Sequence, residues 1–219
     1  MPSKRLSHVA AVLGMLLAPM LLAPILLAPA TLAIAALPKT APEPDLDAAP
    51  GQFLVATAEI GDPRFYHAVI LMVRHDNSGA FGIIINHPLG ERPLASVLAA
   101  IGEDATGVAG SVRLFAGGPV QPGIGCIVHG LDYHRDETIA IDGHVAVTIT
   151  PEVLRDIGHD RGPRQRLVAF GYAGWGAGQL EGELAQGAWF TEPEDPKLVF
   201  DEDPAKVWDA AMARRSFPL

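Results

Sequence analysis

Residues 171–184 combine residue types that could hold a ligand. Glycines stand at close intervals, with the aromatic residues Tyr172 and Trp175 and the carboxylates Glu181 and Glu183 among them. Ordering a glycine-rich segment costs more conformational entropy than ordering other residues. The chain therefore has a use for a fixed backbone here, which is either a tight turn from a strand into a helix or a site where a ligand meets backbone amides.

The glycine spacing does not match a nucleotide-binding loop. A dinucleotide fingerprint needs G-x-G-x-x-G directly after a strand, whereas Gly174, Gly176 and Gly178 give G-x-G-x-G. Glu181 and Glu183 would also place negative charge at the start of the next helix, where a phosphate would lie. The sequence contains no G-x-x-x-x-G-K-[ST] segment either. We therefore predict no nucleotide, and no other cofactor.

Glu181 and Glu183 are not expected to work as a general acid–base pair. Two positions apart on a helix, their side chains diverge by about 200°. Acidic residues in a first turn stabilise the helix dipole, and this structural role is the one we expect. A hydrolase that used either carboxylate would need a second one from elsewhere, for which Asp62 is a candidate.

Motifs for nucleophilic catalysis and for metal binding are absent from the sequence. No serine stands in G-x-S-x-G, and the histidines form neither H-x-x-x-H nor H-E-x-x-H. We expect the histidines at the surface or at strand ends, and we predict no catalytic residue and no metal. A metal site assembled from distant segments stays open. Cys126, the only cysteine, lies in an apolar run and is expected to be a small buried residue.

Two polar or glycine-rich segments, residues 86–88 and 117–120, each follow a predicted buried strand. Chain at strand ends is where binding sites usually lie. Turns held by glycine and proline explain both segments about as well. As a hypothesis, these turns and the segment 171–184 form one binding cleft, which contains Asn86, His87, Gly117, Gly118, Tyr172, Trp175, Gln179 and Glu181.

Apolar runs rich in valine, isoleucine and phenylalanine predict the strands that position these residues. The predicted strands span residues 53–58, 68–74, 82–86, 112–116, 125–129, 138–141, 145–149, 167–172 and 188–191. Helices are predicted at residues 93–101, 151–158 and 179–186 and from Asp203-Pro204 onward, with Thr150 as a cap for the second. Strands outnumber helices without alternating regularly with them, which predicts an α+β fold with a largely antiparallel sheet.

Residues 1–36 are predicted to be an export signal or a membrane anchor. Lys4 and Arg5 precede an uncharged stretch long enough to span a bilayer, and residues 33–35 offer a small-x-small cleavage pattern. The protein is then exported and is either periplasmic or anchored in the inner membrane. A wrongly assigned start codon on a cytoplasmic protein stays open as the alternative. Residues 37–50, rich in proline, alanine and aspartate, predict a flexible linker, and residues 51–219 the folded domain.

The net charge of the chain limits the classes of partner that it is expected to bind. The net charge is −9 over 219 residues, and nucleic acid is not expected as a partner because phosphate contacts need clustered lysine and arginine. Arginines between residues 155 and 166 form a local basic run, which is expected to be a solvated loop rim. We expect an unidentified protein or small-molecule partner, and contact with a membrane only through the N-terminal segment.

Several segments, in this order and spacing, resemble the YqgE/AlgH family: residues 51–56, 62–65, 68–75, 79–88, 117–120 and 171–189. The resemblance covers the chain from Gly51 to the C-terminus. It implies a compact α+β domain whose sheet bends into a partly open barrel flanked by helices. It also implies no established activity or cofactor and, for some members, a role in regulating exopolysaccharide production. Most members look cytoplasmic, so the N-terminal extension departs from the pattern.

Three hypotheses for function follow. The first is a non-catalytic binding or regulatory protein, exported and working in the envelope. The second is a hydrolase or transferase of unrecognised type with a cleft around Asn86, His87 and Glu181, joined by Tyr172. The third is a cytoplasmic regulator, which requires that the N-terminal segment is a start-site artefact.

Overall fold

The computed structural model describes residues 48–215. The predicted signal or anchor, residues 1–36, and most of the predicted linker lie outside the described residues. Residues 48–50, the end of the predicted linker, are described. Ala48 is buried in the core, and the Ala49 amide donates to Oε1 of Gln52. Between residues 48 and 215, no helix is long and apolar enough to cross a membrane.

Within residues 48–215, strands pair into one 10-stranded sheet that helices flank. The strands are β1 (Gln52–Ala56), β2 (Val69–Asp76), β3 (Gly79–Ile84), β4 (Pro88–Pro93), β5 (Ser111–Ala116), β6 (Val120–Gly130), β7 (Thr138–Ala140), β8 (Val145–Thr148), β9 (Arg166–Gly176) and β10 (Trp189–Pro193). The helices are α1 (Leu94–Ala100), α2 (Glu152–Gly158), α3 (Gln179–Ala185), α4 (Pro196–Phe200) and α5 (Pro204–Arg215). A short 3-10 turn, Pro63–Phe65, lies between β1 and β2.

The sheet divides at β9. The main strand order is β10-β1-β2-β3-β9-β6-β8-β7, and every pair among the ten strands is antiparallel except β5 with β9. The first half of β9 pairs with β6 along one edge and with β5 along the other, and its second half pairs with β3. β5 and β3 therefore share one edge of β9, one after the other, and β4 extends the branch that β5 begins.

Gly117 joins the two branches directly after β5. Its amide donates to the Phe170 carbonyl of β9 at 2.8 Å, and its carbonyl accepts from the Ile84 amide of β3 at 2.9 Å. A Cβ on Gly117, or on Gly118 with its φ of +151°, would collide with the backbone of β9. Glycine is required at both positions because two backbones cross here in contact.

Side chains from both faces of the sheet are buried, which explains the continuous apolar runs of the sequence. Phe53 and Val55 of β1 enter a core cluster that α4 and α5 cover, whereas Leu54 and Ala56 enter another that α3 covers. A third cluster lies under α1 and α2. Cys126 is buried in the first cluster as expected, and burial raises the pKa of its thiol to about 11.

The predicted fold class, α+β with a largely antiparallel sheet curled into a partly open barrel and flanked by helices, is confirmed. The sequence pattern predicts neither β4 nor α4. β4 is an exposed strand that begins and ends with proline and pairs with β5, so it has no apolar alternation. α4 has 5 residues, too few for a helical period to emerge, and the Asp195 side chain caps it by accepting from the Lys197 amide at 3.0 Å.

β9 is longer than predicted, because the glycine-rich segment continues as a strand to Gly176. Ala173 and Trp175 are buried while Gly174 and Gly176 are exposed, which is the two-residue alternation of a strand. The turn into α3 is therefore confined to Ala177 and Gly178.

The prediction that Thr150 caps α2 is wrong. Pro151 occupies the cap position of α2 without a side-chain hydrogen bond, and Oγ1 of Thr150 is buried with no hydrogen-bond partner among the described residues. The predicted start of the last helix is confirmed, since Oδ1 of Asp203 accepts from the Ala205 amide at 3.1 Å.

Candidate functional site

A cleft lies beside β9, between the 3-10 turn and α3. Its volume is about 740 Å³, within the range of roughly 300–1,000 Å³ that is typical of small-molecule sites. Its walls come from segments that are distant in sequence: residues 59–65, 119–120, 174–175 and 179–188. We refer to it as the aromatic cleft.

Three aromatic rings form and support the floor of the aromatic cleft. The centroid of Phe65 lies 6.5 Å from that of Trp175 with the rings nearly parallel, and 5.5 Å from that of Trp189 with the rings edge to face. The two indoles are 6.0 Å apart, also edge to face. Because Trp175 and Trp189 are only 6% and 3% exposed, the floor is a rigid apolar surface.

Glu183 fixes the polar ends of these rings. Its Oε2 accepts hydrogen bonds from the indole N–H groups of Trp175 at 2.9 Å and Trp189 at 2.7 Å. Its Oε1 accepts from Nε2 of Gln179 at 2.9 Å, and Oε1 of Gln179 accepts in turn from the Gly176 amide. The carboxylate is thus held in one position by three donors.

The rim of the aromatic cleft is acidic. Asp62 caps the 3-10 turn and binds Arg64 through both carboxylate oxygens, and this side-chain hydrogen bond lowers the pKa of the Asp62 carboxyl. Glu59 is exposed on the same rim. With Glu183, the cleft has three carboxylates against one guanidinium. The cleft therefore favours positively charged groups.

A second groove, of about 550 Å³, adjoins the aromatic cleft and shares Val120, Gly174 and Trp175 with it. Tyr172 and Phe81 form an edge-to-face pair in its wall, with centroids 5.7 Å apart, and the Arg74 guanidinium lies 5.9 Å from the Phe81 centroid. Gly174 is exposed where the two cavities meet, beside the Tyr172 ring and the Val120 side chain.

Comparison with known proteins identifies the family to which this architecture belongs. The family model described as AlgH-like matches residues 53–219. The chain belongs to this family. A UPF0301 protein of Methylococcus capsulatus is 41% identical over 182 residues, which are 83% of this chain and 99% of that protein. A UPF0301 protein of Rhodospirillum rubrum is 42% identical over 164 residues, 75% of this chain and 85% of that protein.

Solved structures agree with this AlgH-like assignment. The solution structure of the AlgH protein from Pseudomonas aeruginosa matches with a TM-score of 0.66 at 36% identity, covering 77% of this chain and 89% of that one. A crystal structure of a protein from Corynebacterium diphtheriae matches with a TM-score of 0.57, covering 80% and 90%. At 24% identity the second match bears on the fold alone.

Segments that carry the AlgH-like resemblance meet at the aromatic cleft. Residues 62–65 supply Asp62 and Phe65, residues 117–120 supply Pro119, and residues 171–189 supply Trp175 and Glu183. These segments are far apart in the chain. They meet because the first half of β9 pairs with β5 and β6 and its second half pairs with β3. The cleft is therefore the strongest candidate site in the part of the chain that the structure describes.

The structure brings some of the sequence-predicted binding residues together. Trp175 and Gln179 lie in the aromatic cleft, and Tyr172 lies with Trp175 in the second groove. Gly117 and Gly118 line neither cavity, since they form the backbone crossing behind β9. As ligand contacts, all of these residues stay predictions.

Asn86 and His87 lie outside both cavities. Oδ1 of Asn86 accepts from the Val69 amide at 2.9 Å, and its Nδ2 donates to the His67 carbonyl at 2.8 Å, so this buried side chain braces the start of β2. Burial lowers the pKa of the His87 imidazole, against a smaller opposing effect from its hydrogen bond to the Tyr66 backbone. The structure therefore gives Asn86 a structural role.

Glu181 also lines neither cavity, and its Oε1 lies 3.1 Å from Nε2 of His75. The hydrolase or transferase hypothesis requires Glu181 and His87 to line the same cleft. Neither residue lines either cavity, and the Glu181 carboxylate pairs with His75 instead. The His75 side chain is 1% exposed, and His129 is fully buried between the Gly130 carbonyl and the Thr148 hydroxyl. Both histidines stand one residue before the end of their strand, as expected of strand-end histidines, but β2 and β6 turn their rings inward and not to the surface.

Sequence reasoning missed Glu183 as the central polar residue of the cleft. The expectation that it serves the helix dipole overlooks that buried indole N–H groups need an acceptor. Trp175 and Trp189 stand on either side of it in the sequence, and this spacing was the available signal. Asp62 was named only as a possible second carboxylate, and it does line the cleft with Glu183. Phe65 carries no such signal, since only the folded chain brings the 3-10 turn to α3.

Proposed function

We propose that the AlgH-like domain is a non-catalytic binding protein whose aromatic cleft holds a positively charged amine or guanidinium of its partner. The observation that carries this proposal is the Glu183 carboxylate, fixed by two indoles and Gln179 above an aromatic floor. A charge that is already immobilised loses no side-chain entropy when a ligand arrives. Aromatic faces attract positive charge, and the Arg64 guanidinium already lies 6.0 Å from the Phe65 centroid in this cleft.

A binding role accounts for the cleft better than catalysis. Among the described residues that line it, there is no serine, cysteine, histidine or lysine to serve as nucleophile or general base. The carboxylates of Asp62 and Glu183 are both occupied by hydrogen bonds from neighbouring side chains. Glu59 remains to pair with a ligand, since its carboxylate has no hydrogen-bond partner within residues 48–215.

The test uses two cationic probes and one anionic control peptide. Spermidine represents a small-molecule partner and a capped tri-lysine peptide a protein partner, and a capped tri-glutamate peptide is the control. Binding is followed by the fluorescence of the tryptophans, since Trp175 lines the cleft. We expect saturable binding of at least one cationic probe, weakened by added salt, and no binding of the tri-glutamate peptide. The probe that binds distinguishes the two kinds of partner.

Two charge-removing variants locate the binding. Glu59→Gln removes an exposed charge at the rim, and Glu137→Gln removes an exposed charge from the loop before β7. We expect Glu59→Gln to weaken binding about 2- to 5-fold, as for an exposed ion pair of up to 1 kcal/mol, and Glu137→Gln to leave it unchanged. Equal effects of the two variants, or no saturable binding of either cationic probe, would refute the proposal.

We further propose that this binding protein works in the cell envelope, where occupancy of the cleft regulates its interaction with a partner. The support is the basic start and long apolar stretch of residues 1–36. N-terminal sequencing of the protein from its native host tests the location, and we expect a mature start near Ala36. An intact N-terminus on soluble protein from the cytoplasmic fraction would favour the cytoplasmic regulator instead.

A further inference from the structure

A separate cluster of polar side chains lies where the loop between β7 and β8 meets the chain that follows β10. Asp142, His144 and Glu194 each place a potential ligand atom here, and these atoms all lie within 4.8 Å of one another. Nδ1 of His144 is 3.1 Å from Oε1 of Glu194. None of these residues lines the aromatic cleft or the second groove.

Glu194 is the unusual member of this cluster. Its side chain is only 4% exposed, and its Oε2 is buried without a hydrogen-bond partner in the part of the chain that the structure describes. A buried carboxylate oxygen normally receives hydrogen bonds or binds a cation, because the loss of hydration is costly. Within residues 48–215, neither Glu194 nor Asp142 forms an ion pair with a lysine or an arginine. The cluster thus has excess negative charge beside an unsatisfied oxygen.

The backbone holds the cluster in place from two sides. Oδ1 of Asp142 accepts from the amides of His144 at 2.7 Å and Val145 at 2.9 Å, which fixes the carboxylate. On the other side, the Gly51 carbonyl accepts from the Glu194 amide at 3.3 Å. Gly51 has a φ of +80°, which favours glycine, and a Cβ there would stand 2.9 Å from Oδ2 of Asp142. Backbone amides therefore hold the Asp142 carboxylate, and the Glu194 backbone is anchored beside it.

We propose that Asp142, His144 and Glu194 form a binding site for a divalent transition-metal cation, with Zn²⁺ as the best-fitting ion. Two carboxylates and one imidazole are a donor set that suits Zn²⁺ better than Mg²⁺ or Ca²⁺, which prefer oxygen ligands alone. With metal–ligand bonds of about 2.0 Å, the edge of a tetrahedron is roughly 3.3 Å, close to the 3.1 Å between His144 and Glu194. The His144 side chain is 69% exposed, which gives the ion a path from solvent.

A proton is the competitor for this position. Burial, together with the negative charge of Asp142, raises the pKa of Glu194 to about 7. Metal ligands must be deprotonated, so a cation that binds Glu194 displaces its proton. Three protein ligands leave a fourth position open, which suits a water molecule or a group of a bound partner.

Isothermal titration of the purified, untagged, chelator-treated chain with Zn²⁺ tests the site, with Mg²⁺ as the comparison ion. His144→Ala removes an exposed ligand, so it does not endanger the fold, and His134→Ala removes another exposed histidine from a neighbouring loop as a matched control. We expect one Zn²⁺ per chain, with affinity at least 10-fold weaker in His144→Ala and unchanged in His134→Ala. Mg²⁺ is expected to bind far more weakly.

Glu194→Gln provides a second test on the buried ligand. We expect it to lose Zn²⁺ affinity as strongly as His144→Ala, and its circular dichroism spectrum shows whether it folds. Replacement of Zn²⁺ by Co²⁺ adds a readout of coordination, since absorption bands in the visible range report the ligands. Binding that is equal in wild type and His144→Ala, or a loss that His134→Ala shares, would mean adventitious binding by surface histidines and would overturn the proposal.

Discussion

Glu183→Leu is the substitution for which the structure predicts the largest loss of stability from one polar side chain of the aromatic cleft. Leucine fills the same space without an acceptor, so the indole N–H groups of Trp175 and Trp189 lose their partner. Both indoles are almost fully buried, and each unsatisfied buried donor costs about 1–3 kcal/mol. The expected loss in the free energy of unfolding is therefore about 2–6 kcal/mol.

Glu183→Gln separates the role of the charge from that of the acceptor. The amide oxygen of glutamine still receives both indole hydrogen bonds, but these no longer end on a charged group. Hydrogen bonds to charged groups contribute roughly 0.5–1.5 kcal/mol more than neutral ones. The expected loss is about 1–3 kcal/mol, so the order of stability is wild type, Glu183→Gln, then Glu183→Leu.

Urea denaturation followed by far-ultraviolet circular dichroism measures these losses without relying on the altered tryptophan fluorescence. Glu181→Gln is the control, because this residue lies in the same helix and, among residues 48–215, its half-exposed side chain pairs only with His75. We expect that control to lose less than about 1 kcal/mol. A loss of under 1 kcal/mol in Glu183→Leu, or a loss in Glu181→Gln as large as in Glu183→Leu, would refute the assignment of Glu183 as the anchor of the cleft.

Three further predictions concern the frame around the site. Gly118→Ala places a Cβ against the backbone of β9 at a φ of +151°. We expect it to lower the free energy of unfolding, measured by urea denaturation, by at least about 3 kcal/mol. Gly123→Ala is the control and is expected to be near neutral, since no atom lies within 4 Å of the added Cβ. Acidification is expected to destabilise the fold because burial lowers the pKa of His129: the neutral ring contributes fully above its unfolded pKa of about 6.5, and this contribution is lost as the pH falls through the folded value. Denaturation midpoints measured across this range should vary less with pH in His129→Gln, and an unchanged pH dependence would exclude this ring as the cause. Asp203→Ala is expected to lower stability by about 1 kcal/mol in thermal melts through loss of the α5 cap. Thr150→Val removes a buried hydroxyl that has no hydrogen-bond partner within residues 48–215 and should be neutral or stabilising in the same measurement.

Much of the fold could be predicted because the buried strands carry strong apolar patterns. β2 has five consecutive buried residues and β8 is buried throughout, so both stand out in the sequence. β4 and the second half of β9 do not, since one is exposed and the other alternates with glycine. These segments are strands because of their pairing partners, β5 and β3, which are distant in sequence.

The candidate site could be predicted only in part, for a related reason. Trp175 and Gln179 were accessible to sequence reasoning because they belong to one continuous segment. Phe65 and Asp62 reach the same cleft only through the folding of the chain before β2. Asn86 looked like a functional residue at a strand end, but its amide is used to brace backbone groups. A polar side chain at a strand end indicates a binding site only if nearby backbone groups do not already use its hydrogen bonds.

The division of the sheet at β9 also determines how late in synthesis the chain can complete its fold. β3, β5 and β6 all precede β9 in synthesis, and each has an edge that stays unpaired until residues 166–176 arrive. β1 waits longer still, since Val55 pairs with Phe190 of β10. A topology dominated by such distant pairings folds slowly, and unpaired strand edges attract other chains. A nascent or truncated chain that ends before Arg166 therefore presents several open edges at once and depends on chaperones or dilution to avoid aggregation.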